Sequence, residues 1–225
     1  MFITADYHFS HKKILEYQPQ RPFAGVEEMD EALIHAWNNT VCPGDKVYHL
    51  GDFCFGTKAR WEQILGRLNG SLSIINGNHD NNKIIKSLRE SKIIIEYHPV
   101  GTILKVEKFL LHLTHYPMLI GCRKNLFSIQ GHVHSGDLPS PDCINVGLDS
   151  RFSKSLGKPF GVPVHISELI PTLQKAETEK SAYRRQTEKK FPQSRLDIID
   201  KRATVWEDKY SKAVAILEEG ITNER

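Results

Sequence analysis

The amino-acid sequence predicts a layered α/β fold followed by a C-terminal helical extension. Short segments rich in β-branched and aromatic residues alternate with segments of helical periodicity as far as about residue 170, and strands separated by helices are typical of layered α/β domains. Beyond that point charged residues dominate, and none of the 11 histidines occurs there. The chain therefore predicts a domain over residues 1–171 and a charged helical extension over residues 172–225.

Seven segments are predicted as strands because each is short, rich in β-branched or aromatic residues, and bounded by Gly, Asp, Asn or Pro. The later ones follow one another with little helix between them, so we expect part of the sheet to be antiparallel. In chain order the predicted strands are Phe2–Ala5, Lys46–Leu50, Leu72–Ile75, Lys92–Glu96, Phe109–Thr114, Leu126–Gln130 and Cys143–Val146.

Three helices are predicted between the early strands, at Val26–Asn39, Ala59–Leu68 and Asn82–Leu88, from apolar residues spaced three and four apart. In the extension, Lys175–Lys190 is polar on nearly every face, whereas Leu196–Leu217 carries an apolar stripe. An amphipathic helix needs an apolar partner surface. Residues 196–217 therefore predict either packing on the chain's own core or a homo-oligomer formed through this helix.

The composition of the chain argues against a membrane protein, a secreted protein and a binder of polymeric nucleic acid. Every apolar segment is shorter than the roughly 18 residues of a membrane span, and the first residues, MFITADYHFS, lack the features of a signal peptide. The four cysteines form no CxxC pair, which predicts reduced thiols and a cytoplasmic location. A net charge of +3 is too small to favour polymeric nucleic acid.

Polar side chains suited to metal binding lie directly after the predicted strands. Ligands of open α/β sheets bind beyond the carboxyl ends of strands, so these side chains are expected to share one cleft. Their mixture of carboxylate, amide and imidazole donors suits Mn, Fe, Ni or Zn. Alternate residues of an extended segment share a face, so the intervening Tyr7 and Val133 are expected to point into packing. The blocks are Asp6-Tyr7-His8, Gly51-Asp52, Gly77-Asn78-His79-Asp80, Thr114-His115 and Gly131-His132-Val133-His134.

The ordered set of blocks resembles the pattern of the calcineurin-like metallophosphoesterase superfamily, which reads DxH, GD, GNH[DE], H and GHxH. The match covers about residues 1–170, and the opening DYHFSH is similar to small, stand-alone bacterial and phage phosphoesterases. The resemblance implies an α/β/β/α sandwich with mixed sheets and a dinuclear metal site bridged by Asp52. It assigns one metal ion to Asp6, His8, Asp52 and His134, and the second to Asn78, His115 and His132.

The resemblance also implies a reaction. His79 would protonate the leaving group and Asp80 would orient the ring of His79. The implied enzyme is a phosphodiesterase that hydrolyses a nucleotide-like or other small phosphodiester by attack of metal-bound hydroxide. Its cofactors would be two divalent ions, with Mn²⁺ favoured over Fe, Ni or Zn. A phosphomonoesterase and a non-catalytic metal-binding scaffold are the alternatives.

Further residues flank the expected cleft. His11, three residues after His8, and Arg21 are candidates for contact with the substrate phosphate. Phe9, Phe53 and Phe55 lie next to metal blocks, and for them core packing is favoured over stacking of a base.

Overall fold

A computed structural model describes residues 1–136, 138 and 140–190, without the side chains of residues 187–190. The predicted helix at residues 196–217 lies outside the described residues. The elements, in chain order, are β1 (Phe2–Thr4), α1 (Ile14–Tyr17), α2 (Val26–Asn38), β2 (Lys46–His49), α3 (Lys58–Leu65), β3 (Ser71–Ile75), α4 (Asn82–Glu90), β4 (Glu96–His98), β5 (Gly101–Val106), β6 (Phe109–Thr114), β7 (Leu126–Gln130), β8 (Cys143–Asn145), α5 (Arg151–Ser155), β9 (Val164–His165) and α6 (Ile166–Lys190).

The strands form two mixed sheets. The first has the order β4-β3-β2-β1-β9 and is parallel except for β9, which runs antiparallel to β1. The second has the order β5-β6-β7-β8 and is parallel except for β5, which runs antiparallel to β6. The α/β sandwich with mixed sheets that the sequence led us to expect is confirmed.

Two buried clusters separate the layers. The neighbours Phe2 and Ile3 of β1 belong to different clusters, because successive strand residues point to opposite faces. Phe2 packs in the cluster that contains Leu33 of α2, so helices cover this face of the first sheet. Ile3 packs in the cluster that contains Leu111 of β6, so the other face meets the second sheet.

Strand assignment differs from the sequence prediction around residues 92–106. Within the predicted strand Lys92–Glu96, residues 92–95 form turns and bends, and β4 begins only at Glu96. Of its isoleucines, Ile94 is buried in the core while Ile95 is 55% exposed, so the segment anchors a loop. The sequence did not predict β5, most of whose residues are half-buried or exposed.

Helix α6 begins before the boundary expected at residues 171–172 and continues through it. Its residues Leu173 and Ala176 pack in the cluster between the sheets. Residues Met1–Lys180 form one compact unit. Residues 172–180 therefore belong to this unit.

Among the described residues, no helix has the length and apolar character needed to cross a membrane. The four cysteines Cys42, Cys54, Cys122 and Cys143 are not joined in disulfides. Cys54 is buried, and burial raises the pKa of its thiol, so this side chain packs as a small apolar group.

Candidate metal centre

Main-chain hydrogen bonds tie together the loops that follow the strands. The amide nitrogens of Asp6 and His8 donate to the carbonyls of Gly51 and Asp52 at 3.1 and 3.0 Å, which joins the loop after β1 to the loop after β2. The amide of His132, after β7, donates to both carboxylate oxygens of Asp6 at 3.1 and 3.0 Å. These bonds fix the ligand-bearing segments against one another.

Three of the predicted ligands form a first group. Donor atoms of Asp6, His8 and His134 lie within 4.8 Å of one another. Burial raises the pKa of Asp6 to about 7, and the nearby Asp52 and Asp149 carboxylates add to that rise. Burial lowers the pKa of His8, which keeps its ring in the neutral form that binds metals.

A second group adjoins the first. Donor atoms of Asp6, Asp52 and His115 lie within 4.8 Å of one another. The Asn78 side-chain oxygen lies 2.8 Å from His115 Nε2 and 2.9 Å from His132 Nδ1. Burial lowers the pKa of both histidines. The structure thus brings all seven sequence-predicted ligands to one place.

Asp52, a member of the second group, also lies close to His8 of the first group. Its Oδ2 atom lies 3.6 Å from His8 Nε2 and 3.5 Å from His115 Nε2, distances longer than a well-formed hydrogen bond. Two ligands held at about 2.1 Å from one ion lie roughly 3 to 3.4 Å apart, close to these separations. His8 Nε2 is buried and has no hydrogen-bond partner. A cation between these donors would satisfy that nitrogen, so the residues fit a metal centre.

The backbone of the ligand blocks is unusual. Five predicted ligands have positive φ: Asp6 (60°), His8 (54°), Asp52 (56°), His132 (69°) and His134 (47°). Such a left-handed conformation costs about 1–2 kcal/mol per non-glycine residue. The extended geometry assumed from the sequence is therefore wrong in detail. Tyr7 does pack in the core, with its hydroxyl donating to the Gly161 carbonyl at 2.6 Å, but Val133 is only half-buried.

Glycines make room for the buried carboxylates. A Cβ atom at Gly77 would lie 2.2 Å from both the amide nitrogen and Oδ1 of Asp52. A Cβ atom at Gly147 would lie 2.3 Å from Asp6 Oδ2. Real Cβ atoms do not approach other atoms this closely, so both positions need glycine for the two carboxylates to stay in place.

A buried ion pair lies behind His134, and sequence reasoning missed its acidic member. Asp149 accepts hydrogen bonds from Arg21 Nη2 at 2.7 Å and Arg21 Nε at 3.2 Å, and both side chains are fully buried. Asp149 Oδ2 also lies 2.9 Å from His134 Nδ1. Burial opposes the charged ring of His134, yet this hydrogen bond and the nearby Asp6 raise the pKa of His134 overall.

The role of Arg21 differs from the substrate contact suggested by the sequence. Besides its bonds to Asp149, the guanidinium donates to the carbonyls of Asp6 at 2.7 Å and Tyr7 at 3.0 Å. These partners occupy it inside the protein, where substrate has no access. Arg21 therefore holds the first ligand block from behind.

His79 and Asp80 also make different contacts. Asp80 accepts hydrogen bonds from the amides of Asp52 (2.8 Å), Gly77 (2.9 Å) and Phe53 (2.9 Å). Both carboxylate oxygens of Asp80 accept hydrogen bonds from main-chain amides, so Asp80 joins the loops after β2 and β3. It does not orient the His79 ring as expected. His79 is exposed, and its amide donates to Asp52 Oδ1 at 2.9 Å.

His11 lies at the rim beside His79. Its Nδ1 is 3.2 Å from His8 Nδ1, and its ring stacks on Phe55 at a centroid distance of 3.8 Å and an angle of 11°. Burial lowers the pKa of His11 to about 4, and His79 adds to this shift. A neutral ring of this kind can donate one hydrogen bond to a phosphate oxygen.

Comparison with known proteins leaves the family open. No family model matches the chain. It is similar to the uncharacterized protein MJ1445 of Methanocaldococcus jannaschii, with 44% identity over 84 residues, 36% of this chain and 46% of that protein. It is also similar to the Gene 66 protein of Mycobacterium phage L5, with 34% identity over 82 residues, 35% of this chain and 39% of that one. The matched part spans less than half the length of either relative.

A solved structure shares the fold. The protein of unknown function AQ665 from Aquifex aeolicus aligns with a TM-score of 0.58, at 24% sequence identity, over 76% of this chain and 97% of that one. This likeness concerns the fold alone. The chemistry of the present chain has to be argued from its own side chains.

Proposed function

We propose that this chain is a dinuclear metal-dependent phosphoesterase that acts on phosphodiesters. One observation carries the proposal: Asp52 Oδ2 lies 3.6 Å from His8 Nε2 and 3.5 Å from His115 Nε2. A carboxylate can bind two cations at once, and two adjacent divalent ions are a common device for cleaving phosphate esters. The calcineurin-like pattern of the sequence supports the same assignment.

Different residues of the chain have different proposed roles. Asp6, His8, Asp52 and His134 would hold one ion, and Asn78, His115 and His132 the other, with Asp52 shared. The chemistry that two divalent ions supply when bound is activation of water and neutralisation of phosphate charge. Asn78 provides a neutral oxygen, which limits the negative charge that an incoming phosphate meets. We favour Mn²⁺ for this donor set, with Fe, Ni and Zn as alternatives.

His79 supports a diester as the substrate. Its ring is exposed beside the ligand groups, with its centroid 5.5 Å from that of His8, and no metal role is assigned to it. A ring nitrogen there can give a proton to the departing ester oxygen, which assists a poor alkoxide leaving group. His11 on the same rim would bind a phosphate oxygen. A phosphomonoesterase would use the same groups.

The test is hydrolysis of bis-p-nitrophenyl phosphate by the full chain with Mn²⁺ and with a chelator, alongside a count of bound metal. We expect two ions per chain and turnover that the chelator abolishes. Asp52→Asn should lose both metal and turnover, while Glu96→Gln, on the edge strand β4, should keep both. Two bound ions without cleavage of this ester or of nucleotide esters would instead favour a metal-binding scaffold.

A further inference from the structure

A half-exposed aromatic ring stands beside the second ligand group. Tyr116 directly follows His115 and is 52% exposed. Its ring centroid lies 4.6 Å from that of His132 and 5.2 Å from that of His115, at interplanar angles of 60° and 72°. Its carbonyl accepts a 2.6 Å hydrogen bond from Thr114 Oγ1, which fixes the turn that carries the ring. Tyr116 is thus held against two predicted ligands with about half of its surface open.

The phenylalanines near the site offer no comparable surface. Phe9 and Phe53 are fully buried and serve as core. Phe55 has one ring face covered by the stacked ring of His11. Tyr116 was not singled out from the sequence, because a lone tyrosine after a histidine carries no pattern. Its place beside the ligands appears only in the structure.

Tyr116 and His79 contact different parts of the centre. The His79 ring neighbours are His8, His11 and Phe55, which belong to the first group and its rim. The Tyr116 ring neighbours are His115 and His132, which belong to the second group. The two rings share no ring neighbour. With the leaving group beside His79, the ester group retained on phosphorus can extend toward Tyr116.

We propose that Tyr116 is a specificity-determining residue that stacks on a nucleobase in the retained ester group. The inference rests on the proposed phosphodiesterase function and narrows its substrate class to nucleotidyl phosphodiesters. Stacking on an aromatic side chain suits any nucleobase, because every base has a flat π face. Leu119, three residues further along the same loop, is 93% exposed and carries no aromatic ring.

Two substrates with the same leaving group isolate this contact. Thymidine 5′-(p-nitrophenyl) phosphate and methyl p-nitrophenyl phosphate both release p-nitrophenolate and differ only in the retained ester group. For Tyr116→Ala we expect the KM of the thymidine ester to rise roughly tenfold, the loss of one stacked base. The kcat/KM of the methyl ester should stay within about twofold of wild type.

Matched variants separate stacking from general damage. Tyr116→Phe keeps the aromatic ring and should retain the wild-type preference for the thymidine ester. Leu119→Ala removes apolar surface from the same loop without removing a ring, so it should also retain the preference. If Tyr116→Ala lowers kcat/KM equally for both esters, the ring is structural and the stacking subsite is refuted.

Binding of thymidine 5′-monophosphate, measured by calorimetry with Mn²⁺ present, provides a readout independent of turnover. We expect Tyr116→Ala to bind this nucleotide roughly tenfold more weakly than wild type. Should the wild type cleave neither ester while this difference in binding holds, the stacking subsite stands and the phosphodiesterase proposal fails. Equal binding by the two proteins, together with active wild type, overturns the subsite alone.

Discussion

The carboxylate of Asp149 lies 2.9 Å from Nδ1 of His134. A hydrogen bond to this nitrogen places the ring proton on Nδ1 and leaves the lone pair of Nε2 free for a metal ion. Arg21 holds Asp149 from the other side through two hydrogen bonds. Two buried side chains, Arg21 and Asp149, therefore determine how the predicted ligand His134 is oriented.

Asp149→Asn is predicted to weaken metal binding without removing a ligand. The amide keeps the side-chain volume but loses the ion pair with Arg21 and the charge that polarises His134. We expect the affinity for Mn²⁺, measured by calorimetry, to fall about 10- to 100-fold, the usual cost of losing such a supporting carboxylate. Glu96→Gln removes a carboxylate bonded to Lys46 and Ser73 and should leave the affinity unchanged. A folded Asp149→Asn protein with wild-type affinity would contradict the role of Asp149.

His79→Ala is predicted to lower turnover while sparing metal occupancy. The hydrogen bond from His79 to Asp52 Oδ1 uses the backbone amide, so alanine retains it. Loss of a general acid typically costs 10² to 10⁴-fold in rate, and the loss should be smaller for esters of acidic phenols than for alkyl esters. Steady-state kinetics on such a pair, with metal content measured by elemental analysis, tests this. Equal losses for both esters would argue against proton donation by His79.

His49→Leu is predicted to make the metal-free protein less sensitive to acid. His49 is fully buried between Tyr7 and Phe53, neither ring nitrogen has a hydrogen-bond partner, and burial lowers its pKa to about 3, with a further contribution from His115. Below pH 6.5 the His49 ring binds a proton in the unfolded chain but not in the folded chain. Stability from this group is therefore complete above pH 6.5 and is lost as the pH falls toward 3.

The size of this effect follows from the unfolded state. At pH 5, 1.5 units below the ordinary pKa of 6.5, His49 should cost about 2 kcal/mol of unfolding free energy. The free energy of unfolding can be measured in urea on chelator-treated protein. The value for His49→Leu relative to wild type should be about 2 kcal/mol more favourable at pH 5 than at pH 8. The same difference at both pH values would show that protonation of His49 is not involved.

Gly77→Ala is predicted to disrupt the centre from the backbone side. The new Cβ would lie 2.2 Å from Asp52 Oδ1, so the Asp52 carboxylate must move. We expect loss of metal binding and a lowered melting temperature, because overpacking a buried site typically costs about 1–3 kcal/mol. At Gly44, a Cβ would meet nothing within 4 Å, so Gly44→Ala should preserve both properties. Full metal occupancy in Gly77→Ala would show that the loop adapts without cost.

Sequence patterns predicted the α/β layers because their signals are local. A run such as Phe109–Thr114 alternates inward and outward residues, and it forms β6 with the predicted bounds. The segment Lys92–Glu96 looks similar, yet Ile94 alone is buried there while its neighbours are exposed. Only tertiary packing decides whether such a run pairs with a strand or anchors a loop.

Some residues of the site could likewise be identified from the sequence, and others could not. The seven predicted ligands fall in blocks with recognisable spacing, so the sequence could single them out before their positions were known. Asp149 stands alone within NVGLDS, where nothing marks a buried carboxylate. Arg21 was predicted to contact the substrate phosphate, because burial of a guanidinium leaves no local signature. Supporting residues depend on contacts across more than a hundred positions, which a single sequence does not display.

The left-handed conformation of Asp6, His8, Asp52, His132 and His134 restricts redesign of the centre. Among residues other than glycine, Asn, Asp and His adopt this conformation most readily. An exchange among these three types, such as His134→Asp, changes the donor atom and keeps the main-chain conformation. Introducing Glu or Cys to favour a different ion adds a conformational penalty that is present even without the ion. Efforts to alter metal preference should therefore begin with Asn, Asp and His.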